Sequence, residues 1–254
     1  MILKGKKILI MGLRNKWSIA WGAAIAASEQ GAEIIFAYHP MEDFEKLKKL
    51  ADEIPNTSLY PCDVSEDSQI EELFCKIGKE HGKIDGILHS IAHANTEDLR
   101  NDFICTLKDG FSHANDISAY SFVATCRYGK EILNPEASIV SLTYYGSEKV
   151  MENYNVMGVA KAALECSVRY LANNLGADNI RVNAVSAGPI KTLSAKGIKD
   201  FSTILDIVEK KAPLKRNVTA YEVGNTIAFL FSKMSSSITG QVIYADNGIS
   251  IMGV

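Results

Sequence analysis

Short apolar segments, nearly continuous in Val, Ile, Leu and Phe, alternate along this chain with longer segments of helical periodicity. Strands that lack a polar face are typical of a parallel sheet that helices cover on both sides. The alternation therefore predicts a doubly wound α/β fold, in which helices connect the strands of a seven-stranded parallel sheet. The predicted strands are Lys7–Met11, Glu33–Tyr38, Ser58–Cys62, Gly86–Ile91, Ser138–Thr143, Arg181–Ser186 and Gln241–Ala245.

Helical segments lie between these strands, and several of them end at a glycine. Gly31, Gly82 and Gly176 each follow a predicted helix, and glycine readily adopts the left-handed conformation that ends many helices. The predicted helices are Ile19–Gln30, Phe44–Glu53, Ser68–His81 and about Tyr154 to Leu175.

One segment, Lys191–Arg216, interrupts the rhythm before the next helix, and it contains a helical piece at Phe201–Lys211. An insertion of that length in a compact domain typically forms a lid or a binding loop. We therefore expect a helical substrate-binding lid over about residues 191–216.

Length and composition favour one ordinary globular domain. The chain has 254 residues, of which 47% are apolar and 22% are charged. Neither an internal repeat nor a Pro- or Gly-rich linker divides it, so one domain over residues 1–254 is favoured over two small ones. The net charge of −3 argues against a generally basic nucleic-acid-binding protein.

Cysteine usage and hydropathy predict a cytoplasmic location. The chain has five cysteines, an odd number, and none of them form a Cys-x-x-Cys pair. This pattern fits free thiols in a reducing compartment better than a disulfide framework or a zinc site. No apolar run approaches the roughly 18 residues of a membrane span. The first residues lack the long apolar core of a signal peptide.

The turn after the first predicted strand is a candidate phosphate site. It runs from Gly12 through Ser18 and Ile19 to Gly22. A glycine turn between a first strand and a first helix can bind a dinucleotide pyrophosphate through backbone N–H groups and the positive end of the helix. Ser18 can cap the helix and offer a hydroxyl to the phosphate. The usual Gly-x-Gly-x-x-Gly pattern is absent, so a plain strand–turn–helix joint fits this segment equally well.

The tips of the second and third strands carry candidate adenosine contacts. At the end of the second strand, NAD sites often have an acidic residue that binds the ribose, and NADP sites have a basic residue that binds the 2′-phosphate. This chain has His39 there, which either contacts the adenosine or caps the strand. No Arg or Lys follows until Lys46, which favours NADH over NADPH. At the third tip, Asp63 can accept from the adenine amino group beside the Val64 backbone, or Asp63 or Ser65 can cap the next helix.

The most informative pair is Tyr154 and Lys161, which are seven residues apart. On a helix this spacing is nearly two full turns, so both side chains share one face about 10 Å apart along the axis. A tyrosine can donate a proton there, and a lysine can hold ribose hydroxyls and stabilise negative charge near the tyrosine hydroxyl. An exposed lysine beside a core tyrosine has the same spacing, so the pair is not decisive by itself.

At this point the chain resembles the bacterial NADH-dependent enoyl-acyl carrier protein reductases, a branch of the short-chain dehydrogenase/reductase superfamily with a Rossmann fold. The resemblance covers the whole chain, and its most specific element is Tyr-x6-Lys with Tyr144 ten residues upstream. Ordinary members of the superfamily have Tyr-x3-Lys, and here Met157 stands at that position. The motifs are Gly12-x5-Ser18-Ile19-Ala20, Cys62-Asp63-Val64, Thr143-Tyr144-x-Gly146, Asn153–Lys161 and Arg181–Ile190.

The resemblance implies a role for each matched residue. Tyr154 would donate a hydrogen bond to the thioester carbonyl, Lys161 would bind the nicotinamide ribose, and Tyr144 would line the site and assist protonation. Ala94 would touch the acyl substrate. The residues implied for NADH are Gly12, Ser18, Ile19, His39, Asp63, Val64, Ile91 and Lys161, with Ile190, Lys191, Thr192, Leu193 and Ser194 beside the nicotinamide.

The same resemblance implies a homotetramer that acts on substrates carried by acyl carrier protein. Residues Ile190–Arg216 contain seven Lys or Arg against three acids, and a basic rim at the acyl entrance would attract an acidic carrier protein. Scattered, solvated lysines on a surface helix are the simpler explanation of the same charge.

Two histidines near the end of the fourth predicted strand need a separate explanation. The family often has Phe where this chain has His93. His89 and His93 are four residues apart, but at a strand end and with no third ligand nearby, so we expect no metal.

Two other functions fit the same fold. A carbonyl reductase would turn over ketones or 3-oxoacyl thioesters, and the absence of Tyr-x3-Lys argues against it. A nucleotide-sensing protein would bind NADH without turnover, and the intact Tyr154 argues against that.

Overall fold

The computed structural model describes residues 1–192 and 201–253. Within these residues, parallel strands form a seven-stranded sheet in the order β3-β2-β1-β4-β5-β6-β7, as the apolar segments predicted. The strands are β1 (Lys7–Met11), β2 (Glu33–Tyr38), β3 (Ser58–Pro61), β4 (Ile84–His89), β5 (Leu133–Thr143), β6 (Arg181–Ala187) and β7 (Val242–Ala245).

Helices cover both faces of the sheet, and a π-helical turn at Asp116–Tyr120 joins two of them. The α-helices of the described residues are α1 (Ile19–Glu29), α2 (Phe44–Ala51), α3 (Asp67–His81), α4 (Thr96–Arg100), α5 (Lys108–Asn115), α6 (Ser121–Gly129), α7 (Asn155–Leu175), α8 (Phe201–Lys211) and α9 (Ala220–Phe231).

The predicted strands and helices lie within two residues of their predicted bounds, except that β5 begins five residues earlier than predicted. Its pairing with β4 shifts between Ile84 and Gly86, which face Leu133 and Ser138. The extra residues form a bulge, in which Glu136 has a φ of 67°. A bulge interrupts the apolar pattern without ending the strand, so the pattern predicts a start at Ser138 although β5 begins at Leu133.

The predicted glycine caps are only partly correct. Gly31 and Gly82 both have positive φ angles, 91° and 69°, although the ψ of −144° takes Gly82 outside the left-handed helical conformation. Gly176, by contrast, has a φ of −61° and continues α7 into a 3₁₀ turn. Asn179, with a φ of 58°, takes the left-handed position instead, and asparagine tolerates it better than most residues.

The strand order places a crevice at the centre of the sheet. From β1 the chain proceeds outward through β2 and β3, and it then returns to β4 on the other side of β1. At such a reversal the connections leave the carboxyl ends of the two central strands in opposite directions. The ends of β1 and β4 therefore border an open crevice.

Two hydrophobic clusters hold the helices to the sheet. One contains Phe74 of α3, Phe122 of α6 and Leu164 of α7. The other contains Trp21 of α1 and Phe231 of α9. Because both faces of the sheet are covered, its strands are mainly apolar, which explains the apolar segments in the sequence. The polar side chains of Ser141 and Asn183 on the central strands are buried, and each donates a hydrogen bond to a backbone carbonyl.

Helices α1 and α9 cross with their backbones in contact. A Cβ added to Gly22 would lie 2.3 Å from the carbonyl oxygen of Ala220, and one added to Gly224 would lie 2.4 Å from the carbonyl oxygen of Gly22. Only glycine permits this approach. The crossing fixes α1, and with it the turn that precedes α1.

Among the helices of the described residues, we find none with the length and hydropathy that crossing a bilayer requires.

Candidate active site

A cavity of about 800 Å³ opens at the carboxyl ends of the central strands, and we call it the central cleft. Of the predicted site residues, those that line it are Gly12, Ser18, Ile19, His39, Asp63, Val64, Ile91, Tyr144, Tyr154, Lys161 and Thr192. Residues more than 140 positions apart in the sequence thus share one cavity.

Three of the predicted site residues that the structure describes, Ala94, Ile190 and Lys191, do not line the central cleft. Ala94 packs instead in a small hydrophobic cluster that also contains Tyr154. Ile190 is half-buried against the core, and Lys191 is exposed. Leu193 and Ser194 lie outside the described residues, as does part of the predicted lid, although its helical piece is confirmed as α8.

The phosphate turn depends on Gly12. This residue has a φ of 94°, and a Cβ at its position would lie 2.3 Å from the carbonyl oxygen of Ser90. A side chain would therefore collide with the loop that follows β4 and would fill the floor of the cleft. The missing side chain leaves a cradle at the amino end of α1, where backbone N–H groups and the helix dipole attract an anion.

Ser18 caps α1, as predicted. Its Oγ accepts a hydrogen bond from the Trp21 backbone N–H at 3.1 Å and donates to the Asn15 carbonyl at 2.7 Å. The serine therefore fixes both the first turn of α1 and the loop before it. The hydroxyl lines the cleft beside Gly12.

Two pairs, each of a basic and an acidic side chain, form what we call the adenosine end of the cleft: Arg14 with Glu42, and His39 with Asp63. The Arg14 Nε lies 2.8 Å from the Glu42 Oε1, and the His39 Nε2 lies 3.5 Å from the Asp63 Oδ2. All four residues line the cleft and are partly exposed. The sequence offered no signal for the first pair, because Arg14 and Glu42 come from different loops.

Asp63 does not cap α3. Its Oδ1 accepts from the backbone N–H and the hydroxyl of Ser65, at 2.9 and 2.7 Å, and α3 begins without a side-chain cap. Burial alone would raise the pKa of Asp63, but the hydrogen bonds from Ser65 and the nearby His39 ring outweigh it and hold this pKa below its ordinary value. The carboxylate is therefore ionised at neutral pH.

At the opposite end, which we call the chemical end, Tyr144, Tyr154 and Lys161 line the cleft together. Tyr154 immediately precedes α7, and Lys161 lies two turns into it. Lys161 is only 5% exposed, and its Nζ donates to the Leu142 carbonyl at 2.8 Å. Burial lowers the pKa of Lys161 to about 8, against the opposing charge of Glu165.

The two tyrosines contact each other edge to face. Their ring centroids are 4.9 Å apart at an interplanar angle of 74°. Burial, with a smaller contribution from Asp246, raises the pKa of Tyr144 to about 12. Burial also raises the pKa of Tyr154 well above its ordinary value, and the neighbouring Tyr144 and Glu165 act in the same direction. Both phenols therefore keep their protons at neutral pH.

Two glycines let the Tyr154 ring lie where it does. A Cβ at Gly146 would lie 2.5 Å from the Tyr154 Cδ1, and a Cβ at Gly158 would lie 2.7 Å from the Gly146 carbonyl oxygen. The turn after β5 therefore touches the first turns of α7 directly. This contact fixes the position of Tyr154 relative to Tyr144.

Glu165 is the residue of this end that sequence reasoning missed. It is 8% exposed, and its Oε1 accepts from the Thr143 hydroxyl at 2.5 Å and the Ser147 hydroxyl at 2.6 Å. A buried carboxylate one turn after Lys161 partly compensates the buried ammonium. The sequence contained a signal for this pairing, because Lys161 and Glu165 are four residues apart on one helix and therefore lie on the same face.

The two histidines of the β4 region have separate partners. The His89 ring is buried between the Ser121 and Ser141 hydroxyls, at 2.8 and 3.2 Å, and burial lowers its pKa to about 3. His93 lies at the cleft, and its Nδ1 is 2.7 Å from the His113 Nε2. Their spacing in the sequence therefore does not bring the two rings to a shared ligand.

This arrangement joins an anion cradle to a neutral phenol and a buried ammonium. The cradle suits a dinucleotide pyrophosphate, and the phenol can donate to an oxygen that gains negative charge. The ammonium favours that charge by its proximity. Such a site is suited to the reduction of a polarised double bond.

Comparisons with known proteins agree with this chemistry. A family model described as enoyl-(acyl carrier protein) reductase matches residues 12–250. The enoyl-acyl-carrier-protein reductase (NADH) FabI of Bacillus subtilis is 49% identical over 255 residues, which cover 98% of this chain and 97% of that protein. The enzyme of Staphylococcus aureus strain MRSA252, named with NADPH instead, is 50% identical over 248 residues, 97% of each chain.

Solved structures agree as well. The Bacillus cereus enoyl-acyl carrier protein reductase, crystallised with NADP+ and indole naphthyridinone, has a TM-score of 0.98 at 47% identity and covers 100% of this chain and 99% of its own. The NADH enzyme of Aquifex aeolicus has a TM-score of 0.97 at 40% identity, with both chains covered completely.

Proposed function

We propose that the central cleft is the active site of this chain, which belongs to the enoyl-acyl carrier protein reductase family and reduces enoyl thioesters in fatty-acid synthesis, and that NADH is its cofactor. NADH would lie along the cleft, with the substrate at the chemical end. The observation that carries this proposal is the meeting of Tyr154, Lys161 and the Gly12 cradle in one cavity.

The residues of the cleft fit a nicotinamide dinucleotide. The Gly12 cradle and the Ser18-capped end of α1 would hold the pyrophosphate. Ile19 and Ile91 would pack beside it, and Asp63 and Val64 would contact the adenine. When bound, NADH supplies a hydride to C3 of the enoyl thioester.

Tyr154 would donate a hydrogen bond to the thioester oxygen. Addition of hydride at C3 moves negative charge to that oxygen, which is three bonds from C3, and gives an enolate that is then protonated at C2. The raised pKa of Tyr154 keeps the phenol protonated, so it can stabilise this charge at neutral pH. Tyr144, in edge-to-face contact with it, would line the acyl site and assist protonation.

Lys161 would hold the nicotinamide ribose. One of its three N–H groups donates to the Leu142 carbonyl, which fixes the ammonium at the end of β5 and leaves two donors for ribose hydroxyls. The position of Tyr154 almost two turns before Lys161 suits conjugate reduction, because the oxygen lies further from the hydride acceptor than it does in a ketone.

The remaining substrate contacts extend from the described part of the cleft. We propose that Ala94 contacts the acyl chain, that residues 190–194 pass beside the nicotinamide, and that residues 191–216 form the lid of one domain spanning 1–254. The basic residues of this lid would attract the carrier protein. His39 would contact the adenosine rather than only cap β2, since its ring lines the cleft.

We also propose a cytoplasmic homotetramer. Val159 of α7 and Phe111 of α5 are large apolar side chains that are 37% and 41% exposed. A second subunit packed on these helices would bury them.

The oxidation of NADH with a crotonyl thioester, followed by the absorbance of reduced nicotinamide, tests the proposed function. We expect turnover with the enoyl thioester and none with an acetoacetyl thioester. Activity on the oxo substrate alone would identify a ketoreductase. NADH binding without turnover of either crotonyl-CoA or crotonyl carrier protein would identify a sensor.

A further inference from the structure

Relatives of similar identity carry either NADH or NADPH in their names, and the adenosine end of this chain contains a feature that can decide between the two. We infer that Glu42 makes this enzyme select NADH over NADPH by occupying Arg14, the guanidinium that would otherwise bind the 2′-phosphate. This inference rests on the proposed placement of the dinucleotide in the central cleft.

The location follows from the fold. In a doubly wound sheet the adenosine ribose lies at the carboxyl end of β2, and its 2′ position faces the loop that follows. In this chain Arg14 enters that space from the β1–α1 turn, and Glu42 enters it from the β2–α2 loop. Both line the cleft together with His39.

Three basic side chains of this region, Arg14, His39 and Lys46, each lie near a carboxylate. Arg14 lies 2.8 Å from Glu42, His39 lies 3.5 Å from Asp63, and Lys46 lies 3.0 Å from Asp43. The charges of Arg14 and Glu42 cancel, and the Asp63 carboxylate offsets any charge on His39, so the two pairs at the adenosine end leave no surplus of positive charge. A 2′-phosphate would add a charge of about −1.5 to −2, whereas a 2′-hydroxyl adds none.

Glu42, rather than Asp63, is the group that discriminates. Asp63 is held by Ser65 and is proposed to contact the adenine, so its loss would weaken NADH and NADPH alike. Glu42 forms its ion pair with Arg14. Without that carboxylate, the planar guanidinium could bind two phosphate oxygens at once.

The test is the ratio of the two dissociation constants, Kd(NADPH)/Kd(NADH), measured by fluorescence titration of the full chain at low ionic strength. In the unmodified protein we expect a ratio well above one. Glu42→Gln should lower the ratio at least tenfold through tighter NADPH binding, the scale of one charge-assisted hydrogen-bond pair. The double variant Arg14→Ala/Glu42→Gln should lose this gain.

Glu45→Gln is the matched control, since it removes an equal charge from an exposed position on α2 that does not line the cleft. An unchanged ratio in Glu42→Gln, or an equal change in Glu45→Gln, would overturn the inference while NADH binding continued to support the proposed function. Failure of both dinucleotides to bind the unmodified chain would overturn the two together.

Discussion

The two ends of the central cleft are built differently. At the chemical end the functional groups stand on β5 and α7 or directly beside them, and Lys161 and Glu165 are buried. Lys161, Glu165, Thr143 and Leu142 are joined by short hydrogen bonds or by charge. At the adenosine end the charged groups stand on loops; Arg14 is 49% exposed and His39 is 46% exposed.

Burial determines what each end can do. Desolvation shifts the pKa of Tyr144, Tyr154 and Lys161 strongly, and this sets which of them hold protons. Water screens the exposed pairs, so they contribute little to stability but still decide which charge is accepted. The chemical end is thus suited to catalysis, and the adenosine end to selection.

The largest effect should come from Tyr154→Phe. Loss of one hydrogen-bond donor to the developing oxyanion should lower kcat about 10²- to 10³-fold, while NADH affinity stays within a few fold. Tyr170→Phe, which removes an exposed hydroxyl from the same helix, should leave kcat unchanged. Equal turnover by the two variants would remove Tyr154 from its proposed role.

Lys161 should make NADH binding pH-dependent. Its pKa of about 8 means that the ammonium is present below this pH and is lost above it. NADH affinity should therefore fall about tenfold or more between pH 7 and about 9.5, the worth of a charged hydrogen bond. Titrations of the protein with NADH at each pH measure this affinity. In Lys161→Arg the affinity should depend much less on pH. A flat profile in the unmodified protein would contradict the ribose-anchor role.

Gly146→Ala tests how tightly the chemical end is positioned. The new methyl would meet the Tyr154 ring at 2.5 Å, and displacement of the phenol should lower kcat about ten- to a hundredfold. Gly176→Ala is the matched control, because its Cβ would meet nothing within 4 Å and its φ is negative. Steady-state kinetics on both variants would show whether the close contact matters, and an equal kcat would argue against it.

The smallest effect is expected for Arg14→Gln. Breaking a pair this exposed should change the free energy of unfolding by less than about 1 kcal/mol, as measured by urea denaturation. A loss several times larger would mean that the adenosine end is as rigidly built as the chemical end, and the contrast between them would disappear.

The sheet and the position of the Gly12 turn were predictable because their signals are local. An apolar run reports a strand buried on both faces, and the Gly12 turn directly follows one. The helices between β4 and β5 were not predicted. Thr96–Arg100 is only five residues long, and α5 passes through a π-helical turn into α6 without a boundary that the sequence marks.

The unpredicted parts of the site depend on contacts between distant elements. Arg14 meets Glu42 only because β1 and β2 are neighbours in the sheet. The spacing of His89 and His93 raised the question of a shared metal ligand. In the structure the His89 ring lies in the core beside Ser121, and the His93 ring lies at the cleft. The two rings separate because β4 ends at His89, so His93 stands on the loop that follows, where the side-chain alternation of the strand no longer applies.

The glycine crossing of α1 and α9 also constrains how the chain can fold. The helix that follows the Gly12 turn is synthesised well before its backbone partner near Gly224, because most of the described chain lies between the two. Contacts between such distant segments form slowly, because a long loop must close first. A nascent chain that stops before α9 would therefore leave Gly22 and the apolar face of α1 uncovered, as a surface for chaperones to recognise.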